Sequence, residues 1–426
     1  MKKIYALLMA NAITLTAMAS AVNGTYLGES SYSFAFGTGE GDLTAITITD
    51  NNDEAGTVSV VFSSDYWGTY TYHAATVTIQ SGACSIEANE TQSIASPMTG
   101  ATSEYEGTFS AVLSDNGLTA TNVIAMGGMG NVTSNFTQSN ASLLARCYMG
   151  TSSYSFAFGT GSDDITSVRL AANPNGTVNV TFESDYWGTY QYDSVAVVED
   201  EAGFTLNATQ MQAIASPMTG ATSQYEGTFS ATIQNGVLAC TNVIAMGGMG
   251  NVTSTFLESA ASIISGKYFG LSDYSFAFGT GSEDVTVINV DANPNGTVNV
   301  TFDSDYWGTY HYDSVAVSEA DGLYSLSATQ MQAIASPMTG ATSEYEGSFT
   351  ATVDNHKMTA TNVIAMGGMG NVTSTFNQSI YTELERIERD ALRDAADAAI
   401  YSLDGRRINQ LQKGINIVGG KKVLVK

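Results

Sequence analysis

At 426 residues the chain has room for roughly three domains of about 100–150 residues each. Its 43% hydrophobic and 10% aromatic content supplies real cores, which excludes a disordered protein. A formal net charge of −26 excludes nucleic acid as a partner and disfavours an anionic membrane surface, because both need clustered lysine and arginine.

Lys2 and Lys3 precede an apolar run from Ile4 to Ala19 that ends in Ala19-Ser20-Ala21. A basic start, a short apolar core and an A-x-A site define a signal peptide over 1–21, with cleavage expected after Ala21. No later run is long and apolar enough for a membrane span, so no transmembrane segment is expected in the mature chain. The expected location is secreted or on the outer cell surface.

The rest of the chain is organised by a repeat. T-N-V-I-A-M-G-G-M-G-N-V-T-S occurs at Thr121, Thr241 and Thr361, 120 residues apart each time. Three units follow, over 23–141, 146–261 and 266–378. They open on Tyr26-Leu27-Gly28, Tyr148-Met149-Gly150 and Tyr268-Phe269-Gly270, and each runs into Y-S-F-A-F-G-T-G. Tyr154, Phe156 and Phe158 alternate with Ser155 and Ala157, a period of two that predicts strand. Val178, Val180 and Phe182 do the same, as do Tyr225, Gly227, Phe229, Ala231 and Ile233. One apolar and one polar face per strand is the pattern of antiparallel sheet.

Turn signals punctuate these runs: Asn-Pro-Asn-Gly at Asn173 and Asn293, and Asn-Gly at Asn116 and Asn235. They give about eight strands per unit, which predicts an all-β protein of three tandem antiparallel barrels, with a β-sandwich as the alternative. Asn140 to Arg146 and Ala260 to Gly266 join the units and suit one helical turn on a barrel end. From Ser379 to Ala399, apolar residues at Ile380, Leu384, Ile387 and Ala391 predict an amphipathic helical linker, with Thr382 and Glu385 in capping-box relation. A short β tail over 400–426 follows. From Tyr401 on it holds six basic residues and one acid, Asp404.

Two motifs are candidate sites. S-D-Y-W-G-T-Y carries Tyr66-Trp67, Tyr186-Trp187 and Tyr306-Trp307, which could stack on a sugar ring or simply close a barrel end. A-M-G-G-M-G carries Met126 and Met129, Met246 and Met249, and Met366 and Met369. It lacks the lysine of a phosphate loop, so its methionines are either an adaptable apolar surface or part of a plain turn. Both motifs are turns separated by four strands, and an even count puts Trp187, Met246 and Met249 at one end of the unit.

Nothing catalytic recurs. His73, His311 and His356 are unmatched between units, and Glu106, Glu226 and Glu346 each stand alone on a polar face. Cys84, Cys147 and Cys240 fall at three different repeat positions, so no disulfide or metal set is shared. The Asp291 to Gly296 stretch opens like a calcium loop, but its twelfth position is Phe302. No metal and no cofactor are expected.

The Leu403-Asp404-Gly405-Arg406 turn, Lys413-Gly414-Ile415 and Gly420-Lys421-Lys422-Val423 resemble the C-terminal type IX secretion sorting segment of exported Bacteroidetes proteins. Asn416 stands where that segment usually has an aromatic residue. The resemblance implies a contact with export machinery. The Tyr-x-Gly opening, followed by an up-and-down run of strands, is similar to the calycin-like, lipocalin-like barrels of the same bacteria. That resemblance implies an eight-stranded barrel, with a pocket at one end in ligand-binding members. The reading is a non-enzymatic surface or secreted protein with three modules for small apolar or glycan ligands. A structural or adhesive array without pockets is the alternative, and a glycan hydrolase the weaker one. A pocket lined by Tyr, Phe and Met would favour the first, and a barrel filled by its own side chains the second.

Overall fold

The computed structural model describes residues 19, 22–51, 53, 56–80, 83–95, 101–114, 116–215, 222–335, 342–354 and 356–382, and the tail segments 400–402, 407–408, 414–418 and 421–425. Each repeat is a closed eight-stranded antiparallel barrel with its strands in sequence order. In the first barrel these are β1 (Gly24–Phe34), β2 (Gly37–Asp50), β3 (Thr57–Ser64), β4 (Gly68–Gln80), β5 (Ala83–Ala95), β6 (Thr102–Ser114), β7 (Gly117–Ala125) and β8 (Asn131–Gln138). The second barrel runs from Cys147 to Glu258 and the third from Gly266 to Thr382.

Closure, which excludes the sandwich, depends on the opening glycine. β1 pairs with β8 with Gly28 opposite Gln138. A Cβ on Gly28 would lie 2.1 Å from the Thr137 carbonyl oxygen, so only glycine lets the two strands meet. Gly150 and Gly270 face Leu257 and Asn377 in the same way.

The inward positions are filled. Tyr26, Ile46, Val60, Phe62, Tyr72 and Ile86 are 0–1% exposed in the first barrel, and their counterparts form a second and a third core. The inner phenols are hydrogen-bonded, as burial demands. Tyr26 donates to the Val22 carbonyl at 2.9 Å, Tyr70 to the Trp67 carbonyl at 2.9 Å, and Tyr72 to Asn122 Oδ1 at 2.5 Å. Burial, followed by the nearby Asp42 charge, pushes the Tyr70 phenol up to about 12. Burial alone does the same to the Cys84 thiol, and all three cysteines are buried.

One seam is zipped by side chains instead of backbone. β4 and β5 pair only from Thr76–Gln80 against Ala83–Glu87. Beyond that, Gln92 Oε1 accepts from the Thr71 N–H at 3.1 Å while Gln92 Nε2 donates to the Thr71 carbonyl at 2.9 Å, copying a ladder rung. Gln212 and Gln332 repeat this on Gln191 and His311. The next rung differs between units in matched pairs. Gln210 and Gln330 bond both backbone groups of Asp193 and Asp313. Glu90 instead takes the His73 N–H at 2.7 Å and its ring at 2.6 Å. Burial opposes its ionisation, yet these His73 contacts hold the Glu90 carboxyl below its usual value.

Short helices join the barrels and serve both neighbours. In the Asn140–Leu144 helix, Ala141 and Leu144 belong to the second barrel's core. Ser142 of the same helix accepts from the Leu27 N–H of the first barrel at 3.1 Å and from Gln138 Nε2 at 3.0 Å. The Ala260–Ile263 helix is built alike: Ala261 and Ile264 enter the third core, and Ser262 accepts from the Met149 N–H at 2.9 Å. Ala19 and Val22 occupy the corresponding place in the first core. Residues 1–18, 20 and 21, the rest of the expected leader, lie outside the described residues. Phe269 and Val287 of the third barrel join the first barrel's apolar cluster, so the barrels also touch side to side.

Two expectations are corrected. Ser379 to Thr382 is not the start of a helix. It extends the last strand of the third barrel, with Ile380 opposite Phe269 and Tyr381 opposite Tyr268, because a free ladder rung outcompetes local helical spacing. Residues 383–399 of the expected linker lie outside the described residues. Phe158 is not in a strand either: the strand stops at Phe156, and Phe158 stands in the hairpin turn, 75% exposed. The tail forms a four-stranded antiparallel sheet in which Ile400–Ser402 lies between Arg407–Ile408 and Gly414–Val418, and Lys421–Val425 forms one edge.

The end of the second barrel supplies a test. Glu258 stands where the other barrels have Gln138 and Gln378, and all three bond the N–H of the second residue of a neighbouring strand, at Leu238, Leu118 and Met358. The extra charge of Glu258 is met by Arg146 at 3.2 Å, with both side chains no more than 2% exposed. Gly24 and Gly266 occupy the position of Arg146 in the other units. Arg146→Gly is expected to cost about 3–5 kcal/mol by leaving a buried carboxylate unpaired. Adding Glu258→Gln should restore most of that, as measured by thermal and denaturant unfolding of the full chain.

Candidate functional site on the barrel rim

The turns after β1, β3, β5 and β7 fall at one end of the barrel, and those after β2, β4 and β6 at the other. The S-D-Y-W-G-T-Y turn, the A-M-G-G-M-G turn and the F-G-T-G hairpin therefore share a rim. The backbones of the last two are tied together: the Ala35 N–H donates to the Met129 carbonyl at 3.0 Å, and Ala157 and Ala277 repeat this with Met249 and Met369 at 3.1 Å.

The tryptophan turn is set by one carboxylate. Asp42 accepts from Ser64 Oγ at 2.6 Å and from the Tyr66 N–H at 3.0 Å, and Ser64 Oγ accepts from the Trp67 N–H at 2.8 Å. Asp164 and Asp284 do the same in the other barrels. Gly68, at φ 84°, closes the turn in a conformation that side chains resist.

Locking the turn fixes the aromatics. Tyr66 stacks on Tyr32 with centroids 4.9 Å apart and planes 13° apart, and the pairs Tyr154–Tyr186 and Tyr274–Tyr306 match it at 5.0 Å and 12°. Trp67 lies edge-on to Tyr32, Phe34 and Tyr66 at 5.2–5.5 Å. Phe34 in turn meets Phe36 edge-on at 6.1 Å.

The expected site residues divide into two layers. Trp67, Trp187 and Trp307 are half-buried and pack on their barrel cores together with Met126, Met246 and Met366. They close the barrel end, as do Ile94 and Tyr105 on the β5–β6 hairpin. Tyr66, Tyr186 and Tyr306 are 60–65% exposed. Met129 and Met249 are half-buried, and Met369 is 36% exposed. Phe36, Phe158 and Phe278, at 75–76%, are the most exposed aromatics of each barrel, and strand alternation concealed them. The signal that could have found them is the Gly-Thr-Gly immediately after each, which marks the phenylalanine as a turn residue.

Beside the tyrosine stack of the first barrel lies a groove of about 370 Å³, lined by Tyr32, Tyr66, Glu40, Asp42 and Asp65. The indole N–H groups of Trp67, Trp187 and Trp307 are buried beneath the rim and meet no acceptor among the described residues. Among the same residues no group of His, Cys, Asp and Glu could hold a metal ion.

These features define the class: tandem up-and-down antiparallel barrels closed by β1 against β8, of the calycin kind. The calycin-like beta-barrel domain family matches residues 22–138, 144–257 and 264–378, well over half the chain, and the protein belongs to that family. No curated protein matches it. Among solved structures, a candidate outer membrane protein from Bacteroides fragilis is 18% identical over 57% of this chain and 99% of its own, with a TM-score of 0.25. A protein with unknown function from Nostoc punctiforme is 11% identical over 56% and 97%, with a TM-score of 0.19. The isotype 1 transferrin binding protein B of Neisseria meningitidis is 9% identical over 83% and 76%, also at 0.19. TM-scores this low carry no argument about this chain.

One carboxyl of the third rim is strained by burial. Asp305 Oδ2 is buried and meets no hydrogen-bond partner among the described residues, and burial together with the Asp284 and Asp303 charges pushes its carboxyl up to about 7. Between pH 3.8 and about 7 the folded chain holds a proton that the unfolded chain has released. Stability therefore falls as pH rises through that window. Asp305→Asn is expected to leave the melting temperature unchanged at about pH 4 and raise it at about pH 8.

Proposed function

We propose that the protein is a non-enzymatic, multivalent binding array, secreted or held at the outer cell surface, that engages ligands at its barrel rims. The supporting observation is that each barrel is filled by its own side chains while the same ledge of exposed Tyr66 and Phe36, or their counterparts, stands at its rim. The filled barrel supports a reading in which ligands meet its rim instead of its interior, closer to the adhesive alternative. The exposed ledge in turn argues against a mere spacer, because large apolar groups in water usually mark contact sites.

Glycans are the ligand class that fits best. A pyranose ring offers a flat CH face to tyrosine and phenylalanine, and its hydroxyls suit Glu40 and Asp65 at the groove edge. Three such sites on one chain convert weak single contacts into avidity of about 10²–10⁴-fold. The leader over 1–21 and the sorting-like segment over 400–426 support export. Deleting 400–426 is proposed to trap the chain inside the cell envelope.

Affinity electrophoresis against a panel of soluble polysaccharides tests the reading. A retained polysaccharide should be held less by Tyr66→Ala alone. With Tyr66→Ala, Tyr186→Ala and Tyr306→Ala together, it should be held about 10²-fold less or not at all. Retention unchanged in the triple variant would remove the rim from the function.

A further inference from the structure

Among the described residues, an open edge on the barrel rim and an open edge in the tail match in length. The first is on the rim hairpin. β6 pairs with β5 along its whole length, but β7 reaches it only from Gly107 onward. Thr102 to Glu106 thus has no strand on its second side among the described residues. The same five-residue edge recurs at Thr222–Glu226 and Thr342–Glu346, where pairing to the next strand starts at Gly227 and Gly347. In the first barrel Thr102, Ser103, Glu104 and Glu106 are all exposed. The turn beside this edge is bare: a Cβ on Gly127 or Gly128 would meet nothing within 4 Å. An added strand has room there.

The second open edge is the tail strand Lys421–Val425, which among the described residues pairs only with Gly414–Val418. It is also five residues long. Its sequence, Lys-Lys-Val-Leu-Val, is followed by Lys426, in a tail with six basic residues and one acid. The rim edges carry the opposite sign, with Glu104 and Glu106, Glu226, and Glu344 and Glu346. Two rim edges set against each other would oppose carboxylates, which disfavours rim-to-rim pairing.

We propose that the tail strand Lys421–Val425 of one chain adds to the open rim edge of a second copy, extending its β5–β6 hairpin by one strand. The backbone ladder supplies the contact, and the lysine–glutamate match selects partner and direction. The contact joins unlike surfaces, so it does not close on itself and builds open chains. One donor tail faces three acceptor edges, so a chain can also branch. The proposal concerns chains that retain the tail, and it is independent of what the aromatic ledge binds.

Sedimentation of the full chain tests this. Its apparent mass should rise with concentration above the 44.7 kDa of one copy. The rise should disappear in about 1 M salt, where screening acts within about 3 Å. A chain ending at Ala399 should stay at one copy. So should a full-length chain carrying Glu104→Lys, Glu106→Lys, Glu226→Lys, Glu344→Lys and Glu346→Lys, all exposed positions whose change spares the cores. A synthetic peptide of residues 400–426, added in excess, should dissolve the wild-type assemblies. A full chain that remains monomeric at all concentrations overturns the proposal, and so do assemblies that survive the charge reversal.

Discussion

Tyr70 and Tyr72 of β4 point into the barrel, ahead of a bulge after which Ala75 and Val77 take the inward positions. An eight-stranded barrel has an interior only wide enough for its own side chains or one small ligand. Here two phenols per barrel from one strand, with Phe62 and Phe109 against them, lie at the centre of the packed core that takes that space. The Tyr72–Asn122 hydrogen bond makes this a fixed arrangement, since removing either partner would strand a buried polar group. Much of the remaining structure follows from this filling. The barrel mouth can be sealed by Trp67, Met126, Ile94 and Tyr105 because nothing has to enter.

The sheet was legible in the sequence because its inner face is so regular. Val178, Val180 and Phe182, read as alternating, are all 0–1% exposed. The shared rim was legible because each glycine-containing break between alternating runs is a real turn. Three features were not. Phe158 continues the alternation of Tyr154 and Phe156, yet it lies past the strand end, and periodicity carries no mark of where pairing stops. Gln92 reads as an outward polar residue in a strand, but it is 6% exposed and replaces a backbone rung. Only the partner strand reveals such a role. Ile380 fits a helical stripe and a strand equally well, and its choice depends on Phe269, more than a hundred residues away.

Differences between the units are as informative as their likeness. Glu90 comes with His73, while Gln210 and Gln330 come with Asp193 and Asp313. Glu258 comes with Arg146, while Gln138 and Gln378 come with glycine. In each case a carboxylate where another unit has an amide is matched by a change in the residue it faces. Buried and seam positions thus change in pairs, as expected where one uncompensated charge costs a sizeable part of a domain's stability.

The joint helices decide how such a chain can lengthen. Each fills the barrel after it and clasps the barrel before it, so a repeat cut anywhere within its 120 residues and inserted in frame brings one whole barrel and one whole joint. A recombination event needs no particular breakpoint to give a folded product. Copy number can therefore drift upward or downward between relatives, and the count of rim ledges becomes a trait adjusted by the length of the gene rather than by its codons.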